Sequence, residues 1–327
     1  MRYSGTIEGS LDYTIAIPVR DEEALLPRAL DALLTAMRSS PMRGGFVFVI
    51  NDTTDESAMV IRRTLQNAQV AFAIVEISFA PEIRNAPHAR RLALDLAWCC
   101  APGGVLLTTD ADSCVGPNWI ASRWSHIASG YDLVCEDVRL DEHELALLPT
   151  QVAAVGEAER AYFEASNRLW RLWTANPADC FAYRASGASL AIRSDAYHKI
   201  GGLPTPSIGE DSALCEAVLA AGLKVGMPND GETRTSARLL SRAQGGCGAC
   251  LKSRASADDP LCDPALVPLA LLREWAFLAN RSENHDRQAI LRSLRASAAP
   301  TPLPYSQVLI ELQKARDTER ELSMVHA

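Results

Sequence analysis

Apolar segments of strand length alternate with stretches of helical spacing from Tyr13 onwards. Each apolar segment is followed by turn-forming residues, which is the pattern of a buried strand. The stretches between them repeat apolar residues at intervals of three and four, which indicates amphipathic helices. The strands are predicted at TIAIPV (14–19), FVFVI (46–50), VAFAIVEI (70–77) and VLLTT (105–109), and the helices at about 26–37, 55–65 and 88–100. This order predicts an α/β fold with a doubly wound, mostly parallel sheet.

A second region follows the last of these strands. It combines a long helix rich in aromatic residues, an apolar strand and a helix closed by a glycine. These elements are predicted at 152–174, 187–193 and 211–221, and the pattern is helical from 247 to the end. We therefore expect one domain over 1–246, with halves at 13–115 and 116–246, and a helical C-terminal extension over 247–327.

Three polar clusters follow strands of the predicted sheet. They are Arg20 to Glu23, Asn51–Asp52 and Asp110 to Asp112. The carboxyl ends of parallel strands meet at one edge of a sheet, and ligands bind outside that edge. We therefore expect the three clusters to lie along one binding edge.

Asp110 and Asp112 are the most distinctive pair at this edge. Side chains two residues apart on an extended segment point to the same side, so the two carboxylates repel each other. No lysine or arginine adjoins them in the sequence. Paired carboxylates are typical ligands of an oxygen-bound cation such as Mn²⁺ or Mg²⁺. The alternative is that Asp110 and Ser113 cap a turn.

A second acidic pair, Glu210 and Asp211, stands at the start of a predicted helix. A carboxylate at a helix N-terminus is stabilised by the helix dipole and the free backbone N–H groups, so Asp211 is interpreted either as a cap or as a functional group. The functional interpretation is a general base that deprotonates a hydroxyl group. Position in the sequence does not choose between the two.

Arginines follow this helix at a spacing of four, at positions 234, 238 and 242. This spacing places them on one face of a helix or along one loop. They are either solvated or bind a diphosphate through charge-assisted hydrogen bonds. Arg84, Arg90 and Arg91, near the third helix, pose the same choice.

Charge and hydropathy exclude some classes of protein. The net charge of -8 and the pI near 5.4 argue against a nucleic-acid-binding protein, which needs a clustered basic surface. No apolar run approaches the length of a membrane span, and the first residues lack the pattern of a signal peptide. The expected location is therefore cytoplasmic.

The cysteines favour a reducing compartment. Nine are present, an odd and scattered set, which fits free thiols better than a disulfide framework. Cys247, Cys250 and Cys262 have the spacing of a partial zinc site, but a fourth ligand at the usual spacing is missing. We therefore expect no zinc site.

Four motifs, taken in order, resemble the family 2 glycosyltransferases, which are nucleotide-sugar enzymes of the A-type fold. The resemblance covers about residues 13 to 246. The motifs are IAIPVRDEEALLPRALDAL, VINDTTDES, TTDADS and GASLAIRSDAYHKIGGLPTPSIGEDSALCEAVLAAGLKV, of which the last is the most specific. The resemblance implies that 13–115 is the nucleotide-binding half and 116–246 the acceptor-side half.

The resemblance also implies roles for single residues. Asp52 reads the uracil edge, Asp110 faces the ribose and the metal, and Asp112 ligates the metal. Asp211 is the catalytic base, with Glu210 beside it. The residues expected to bind the donor are Pro18, Arg20, Glu22, Asp52, Arg90, Asp110, Arg238 and Arg242.

The implied activity is a Mn²⁺- or Mg²⁺-dependent glycosyltransferase of the hexosyltransferase type. It moves one sugar from a nucleoside diphosphate sugar, UDP-linked by preference or GDP-linked, to a hydroxyl acceptor with inversion. The family's Q-x-x-R-W motif is absent after the acidic pair, which disfavours processive synthesis. The apolar stretch 266–278 packs internally, forms a homodimer contact or acts as an acceptor lid.

Two other functions remain open. A sugar-phosphate nucleotidyltransferase has similar requirements, but its first strand is usually followed by a glycine-rich basic loop, and here that position holds RDEE. A non-catalytic protein of the same fold that binds a nucleotide sugar or a partner is the second. The retention of Asp110, Asp112, Glu210 and Asp211 argues against it.

Overall fold

The computed structural model describes residues 1–177, 180–240, 245–281, 287–298 and 301–325. The chain forms two compact units. The first consists of Met1–Asp141 and Arg184–Cys247, and the second of Glu142–Tyr183 and Gly248–Ala327. Each unit is therefore assembled from two separate stretches of the chain.

Strands and helices alternate in the first unit, as the sequence pattern predicts. In the first stretch they are β1 (Arg2–Gly5), β2 (Tyr13–Val19), α1 (Leu26–Arg38), β3 (Gly44–Asn51), α2 (Ser57–Ala68), β4 (Ala71–Ile77), α3 (Ala86–Cys100), β5 (Val105–Thr108), α4 (Trp119–Ala128), β6 (Leu133–Cys135) and β7 (Arg139–Leu140). After α5 (Glu142–Leu145) and α6 (Thr150–Thr174) of the second unit come β8 (Leu190–Arg193), α7 (Ser194–Lys199), α8 (Glu210–Ala220), β9 (Val225–Gly226) and β10 (Arg234–Thr235). The chain continues through α9 (Cys247–Ser256), α10 (Leu269–Arg281), α11 (Arg287–Ala298) and α12 (Tyr305–Val325).

An eight-stranded sheet forms the centre of the first unit, in the order β1-β4-β3-β2-β5-β8-β6-β9. The pairs β2–β3, β3–β4, β2–β5 and β6–β9 are parallel, whereas β1 and β8 run antiparallel to their neighbours. The predicted α/β fold with a mostly parallel sheet is therefore confirmed. The strand order reverses at β2, which lies between β3 and β5, and such a reversal opens a crevice at the carboxyl ends of the strands.

The core of the first unit covers both faces of the sheet. Ile15, Ala16 and Ile17 are consecutive residues of β2 and all are fully buried. Because successive side chains of a strand point to opposite faces, helices must cover both sides. On the described chain α3 packs against β2, β3 and β5, and α4 packs against β5, β6 and β8. This packing fixes the strand ends that carry the polar clusters.

The arginine segment from Arg234 is not helical where the structure describes it. Arg234 and Thr235 form β10, which pairs in parallel with Arg139 and Leu140 of β7. Of the two placements left open by the sequence, the loop is therefore correct. Arg242 lies outside the described residues.

The second unit is helical, and α6 is its longest helix. The buried side of α6 includes Tyr162, Leu169 and Trp170, and the helix packs against α10 and α12. The sequence pattern assigned 142–183 to the first domain, whereas this stretch is compact with 248–327. The difference arises because α6 packs against helices that begin only at Leu269 and Tyr305, and periodicity carries no information over such a distance along the chain. No helix of the described ranges is long and apolar enough to cross a membrane.

Candidate active site

Two arginines from distant segments neutralise the aspartate pair that follows β5. The Nη2 atom of Arg90 lies 2.5 Å from Oδ1 of Asp110, and Nη2 of Arg238 lies 2.9 Å from Oδ2 of Asp112. The Asp112 side chain is 15% exposed and that of Asp110 is 35% exposed. The two carboxylates that lack a cationic neighbour in the sequence therefore each have one in the fold.

Arg90 is buried and its donors are directed at protein acceptors. Nε donates to Oε1 of Glu210 at 3.1 Å, and Nη1 donates to Oγ1 of Thr108 at 3.0 Å and to the carbonyl oxygen of Gly187 at 2.9 Å. Burial alone would lower the pKa of Arg90, but the charges of Asp110 and Glu210 outweigh it and raise the pKa. The guanidinium therefore stays charged while bridging two carboxylates.

Arg238 joins the turn after β2 to the aspartate pair. Its Nη1 donates to Oε2 of Glu22 at 2.6 Å, and its Nη2 contacts the other oxygen of the same carboxylate. Glu22 is only 7% exposed. Burial would lower the pKa of Arg238, but the hydrogen bond with Glu22 and the charges of Asp112 and Glu22 raise it. Two arms of a planar guanidinium on one carboxylate make a charge-assisted fork, which fixes the position of Arg238.

The cluster holds more negative than positive charge. Four carboxylates (Glu22, Asp110, Asp112, Glu210) meet two guanidinium groups (Arg90, Arg238). As a consequence, burial together with the charge of Asp110 outweighs Arg238 and raises the pKa of Asp112 to about 7. A cation placed beside the two aspartates would offset this excess.

The carboxylate oxygens of Asp110 and Asp112 are suitable ligands for Mn²⁺ or Mg²⁺. Both ions bind carboxylate oxygen, and Mg²⁺ usually keeps several waters and takes only one or two protein carboxylates, with substrate phosphates completing its shell. Within the described residues no group of three or more His, Cys, Asp or Glu side chains is arranged to hold a metal ion. A metal here would therefore depend on ligands from water or a bound diphosphate.

Glu210 and Asp211 open α8 and have different partners. Gly209 precedes them with a φ of 80°, a left-handed conformation that glycine adopts without strain. Glu210 pairs with Arg90, whereas the carboxylate of Asp211 accepts from the backbone N–H of Gly187 at 3.1 Å and of Ser212 at 2.7 Å. Burial and the charge of Glu210 raise the pKa of Asp211 against these bonds. Gly209, not Asp211, is the N-cap of α8.

Solved structures identify the fold that this geometry belongs to. No protein-family model matches the sequence, and no curated protein matches it. TarS from S. aureus, solved in complex with UDP, matches with a TM-score of 0.51 and 12% identity over 87% of this chain and 70% of that chain. The mannosyltransferase PcManGT from Pyrobaculum calidifontis, solved in complex with GDP-Man and Mn²⁺, matches with a TM-score of 0.51 and 18% identity over 98% of this chain and 83% of that chain. This chain has the A-type glycosyltransferase fold.

In this A-type fold Asp52 lies at the end of β3 and pairs with Arg84. The Nε atom of Arg84 is 3.1 Å from Oδ1 of Asp52, and the backbone N–H of Phe79 donates to Oδ2 at 3.4 Å. Asp52 has a φ of 49°, which is uncommon for a residue other than glycine and which often marks functional positions. The sequence left two interpretations of Arg84 open, and its place in the loop between β4 and α3 was the signal that could have assigned it to Asp52.

The remaining predicted donor residues lie at the carboxyl end of β2. Pro18 belongs to the strand and Arg20 follows it, both half-buried. The turn after β2 is tied to the turn after β3 because the backbone N–H of Glu22 donates to Oγ of Ser57 at 2.9 Å and that of Thr54 donates to Oδ1 of Asp21 at 2.8 Å. These bonds hold the turn after β2 against the turn after β3, which contains Asp52.

Proposed function

We propose that this protein is a glycosyltransferase that transfers one sugar from a nucleoside diphosphate sugar to a hydroxyl acceptor. The observation that carries the proposal is the convergence of Asp110, Asp112 and the Glu210–Asp211 pair at one edge of an A-type sheet, joined by Arg90. Complexes of similarly folded proteins support the donor class, since TarS was solved with UDP and PcManGT with GDP-Man and Mn²⁺.

The metal in this proposal is held by Asp110 and Asp112. Mn²⁺ or Mg²⁺ at that position would stabilise the negative charge that develops on the departing diphosphate. Arg238 supplies positive charge at the same place, since it already contacts Asp112. Its guanidinium can bind phosphate oxygens with the two-armed geometry it shows toward Glu22. Arg242 is likewise expected to bind the sugar donor.

Asp211 is the general base of the proposed reaction. Its carboxylate is oriented by two backbone N–H groups and its pKa is raised, which improves its ability to accept a proton from a hydroxyl. A base that activates the acceptor for direct displacement predicts inversion at the anomeric carbon. Glu210 forms an ion pair with Arg90, so we assign the role of base to Asp211 and not to Glu210.

The nucleotide base is assigned to the Asp52–Arg84 pair. Uracil and guanine each present an N–H beside a carbonyl oxygen. The Asp52 carboxylate can accept from the N–H, and the Arg84 guanidinium can donate to the carbonyl oxygen. The pair therefore accommodates UDP, which we favour, and also GDP. Cytosine offers an acceptor in place of that N–H, so a CDP-linked sugar is disfavoured.

The experiment that tests the proposal measures which phosphate product is released. The protein is incubated with Mn²⁺, UDP- and GDP-linked sugars and simple sugar or polyol acceptors, and in a second reaction with a sugar phosphate and a nucleoside triphosphate. Asp112→Asn is measured in parallel. Release of nucleoside diphosphate by the wild type and its loss in the variant support the proposal. Pyrophosphate formed from a sugar phosphate and a nucleoside triphosphate would instead identify a nucleotidyltransferase, and binding without turnover a non-catalytic protein. Proton NMR of the sugar product then tests inversion.

A further inference from the structure

Arg90 connects the two acidic pairs of the candidate active site. It contacts Asp110, which follows β5, and Glu210, which opens α8. The two contacts use different nitrogens of one guanidinium, Nη2 for Asp110 and Nε for Glu210. Because the guanidinium is planar and rigid, the positions of these two carboxylates are fixed relative to each other.

Gly187 extends this connection to Asp211. Its carbonyl oxygen accepts from Nη1 of Arg90 at 2.9 Å, and its N–H donates to Oδ2 of Asp211 at 3.1 Å. A Cβ atom added at Gly187 would lie 2.5 Å from Nη2 of Arg90, so only a residue without a side chain allows this approach. Gly187 is therefore hydrogen-bonded to Arg90 through its carbonyl oxygen and to Asp211 through its N–H, so the position of Asp211 depends on that of Arg90.

We propose that Arg90 is a positioning residue that holds Asp110 and Asp211 at a fixed separation, rather than a ligand of the donor diphosphate. This inference rests on the proposed function. It is supported by the burial of Arg90, which is 4% exposed, and by its four hydrogen bonds to four different protein acceptors. A diphosphate ligand needs several N–H groups that face it, whereas four of the five N–H groups of the Arg90 guanidinium already donate to protein acceptors.

The next residue of the same helix provides a matched control. Arg91 also makes several hydrogen bonds, to Oδ2 of Asp95 at 2.9 Å and to the carbonyl oxygens of Leu203 at 2.6 Å and Gly201 at 2.8 Å. None of these partners belongs to the acidic pairs. Loss of Arg91 therefore reports the structural cost of removing an arginine from α3 without disturbing the connection.

The test compares Arg90→Lys, Arg90→Gln and Arg91→Gln. Three quantities are measured for each: the melting temperature, the affinity for Mn²⁺ in the presence of UDP by electron paramagnetic resonance, and kcat and KM for turnover of UDP-glucose and GDP-mannose. For Arg90→Gln we expect kcat to fall by about 10- to 100-fold or more, as for other groups that orient catalytic ligands, with donor KM nearly unchanged. Arg90→Lys keeps the charge but not the fork, so it should recover only part of kcat. Arg91→Gln should keep kcat within about twofold.

Two results would overturn the inference while leaving the proposed function intact. One is an equal kcat in Arg90→Gln and Arg91→Gln. The other is a rise in donor KM with unchanged kcat in Arg90→Lys, which is the behaviour of a diphosphate ligand. If the Arg90 variants do not fold, Gly187→Ala is measured instead, and unchanged kcat in that variant overturns the inference. A wild type that neither binds Mn²⁺ with UDP nor turns over a donor overturns the proposed function itself, and the inference with it.

Discussion

Asp112 and Arg238 form an ion pair across 2.9 Å, although 126 positions separate them in the chain (238 minus 112). The same guanidinium is bound by both carboxylate oxygens of Glu22. The aspartate proposed to hold a metal is thus partly neutralised by the arginine proposed to bind the diphosphate. A metal bound as proposed would compete with Arg238 for the Asp112 carboxylate until the diphosphate of the sugar donor offered the arginine a new partner.

This competition makes Arg238→Gln informative in two directions. Mn²⁺ alone should bind more tightly to the variant, because Asp112 loses a competing cation. The UDP–Mn²⁺ complex should bind more weakly, by about tenfold or more, because a hydrogen bond to a charged group contributes roughly 1.5–3 kcal/mol. Isothermal titration calorimetry measures both affinities. Arg62→Gln, which breaks a pair with Glu76 on α2 and β4, is the control and should change neither. Equal weakening of both affinities contradicts the competition.

Asp211 should control the acid side of the pH–rate profile. Its pKa is raised by burial and by Glu210, so kcat should fall with decreasing pH through a value above the usual range of an aspartate. Asp211→Asn should lose about 10²- to 10⁴-fold in kcat, the typical contribution of a general base. Glu216→Gln, an exposed substitution on the same helix, should leave the profile unchanged.

The same raised pKa fixes the sign of the effect on stability. A carboxyl group whose pKa is higher in the folded state stabilises the protein below its unfolded pKa, and this stabilisation is lost as pH rises through the folded pKa. Asp211→Asn should therefore be at least as stable as the wild type at pH 8, by thermal unfolding. A variant that is inactive because it is unfolded would contradict the assignment of Asp211 as a base.

Asp52 and Arg84 should determine which nucleotide is bound. Asp52→Asn gains a donor N–H₂ group that cytosine can accept, so the affinity ratio of CDP to UDP should rise by about tenfold, within the 1–3 kcal/mol typical of base discrimination. Arg84→Gln should weaken UDP without changing the affinity for Mn²⁺ alone. Calorimetry with UDP, CDP and GDP measures these ratios. A CDP to UDP ratio unaffected by both substitutions would place the base elsewhere.

Helix α2 offers a test of the core that supports the site. Leu65 is fully buried, whereas Met59 on the same helix is 58% exposed. Leu65→Ala should lower the free energy of unfolding by about 2–5 kcal/mol, the usual cost of such a cavity. Met59→Ala should lower it by less than about 1 kcal/mol, since surface substitutions rarely cost more. Urea denaturation followed by circular dichroism distinguishes the two.

The strands and the acidic clusters were predictable because both are local patterns. Apolar runs such as FVFVI report burial on two faces, and TTDADS stands directly after a strand, so its place at the sheet edge follows from the topology. The confirmed parallel sheet rests on these short-range signals. The helix limits differ by only a few residues, as at α2, which begins at Ser57.

The partners of the charged residues were not predictable in the same way. Arg90 and Arg238 each had several interpretations, and their contacts with Asp110 and Asp112 depend on how distant segments meet in the fold. From the sequence we predict that Arg90 binds the nucleotide sugar. In the structure its N–H groups donate hydrogen bonds to acceptors within the protein. The assignment of α6 to the first domain differed for the same reason, because its partners α10 and α12 lie far from it along the chain.

Thermal-shift measurement tests whether Asp110 and Asp112 form a nucleotide-dependent metal site. Wild type, Asp112→Ala and Asp31→Ala, an exposed control on α1, are heated with UDP or GDP, each with and without Mn²⁺. Ligand that binds only the folded state raises its stability by mass action, about 2.7 kcal/mol at a hundred times the Kd. We predict a rise in melting temperature that needs nucleotide and Mn²⁺ together, is present in Asp31→Ala and is absent in Asp112→Ala. A rise that Asp112→Ala retains, or no rise with either nucleotide, would contradict the proposed metal site.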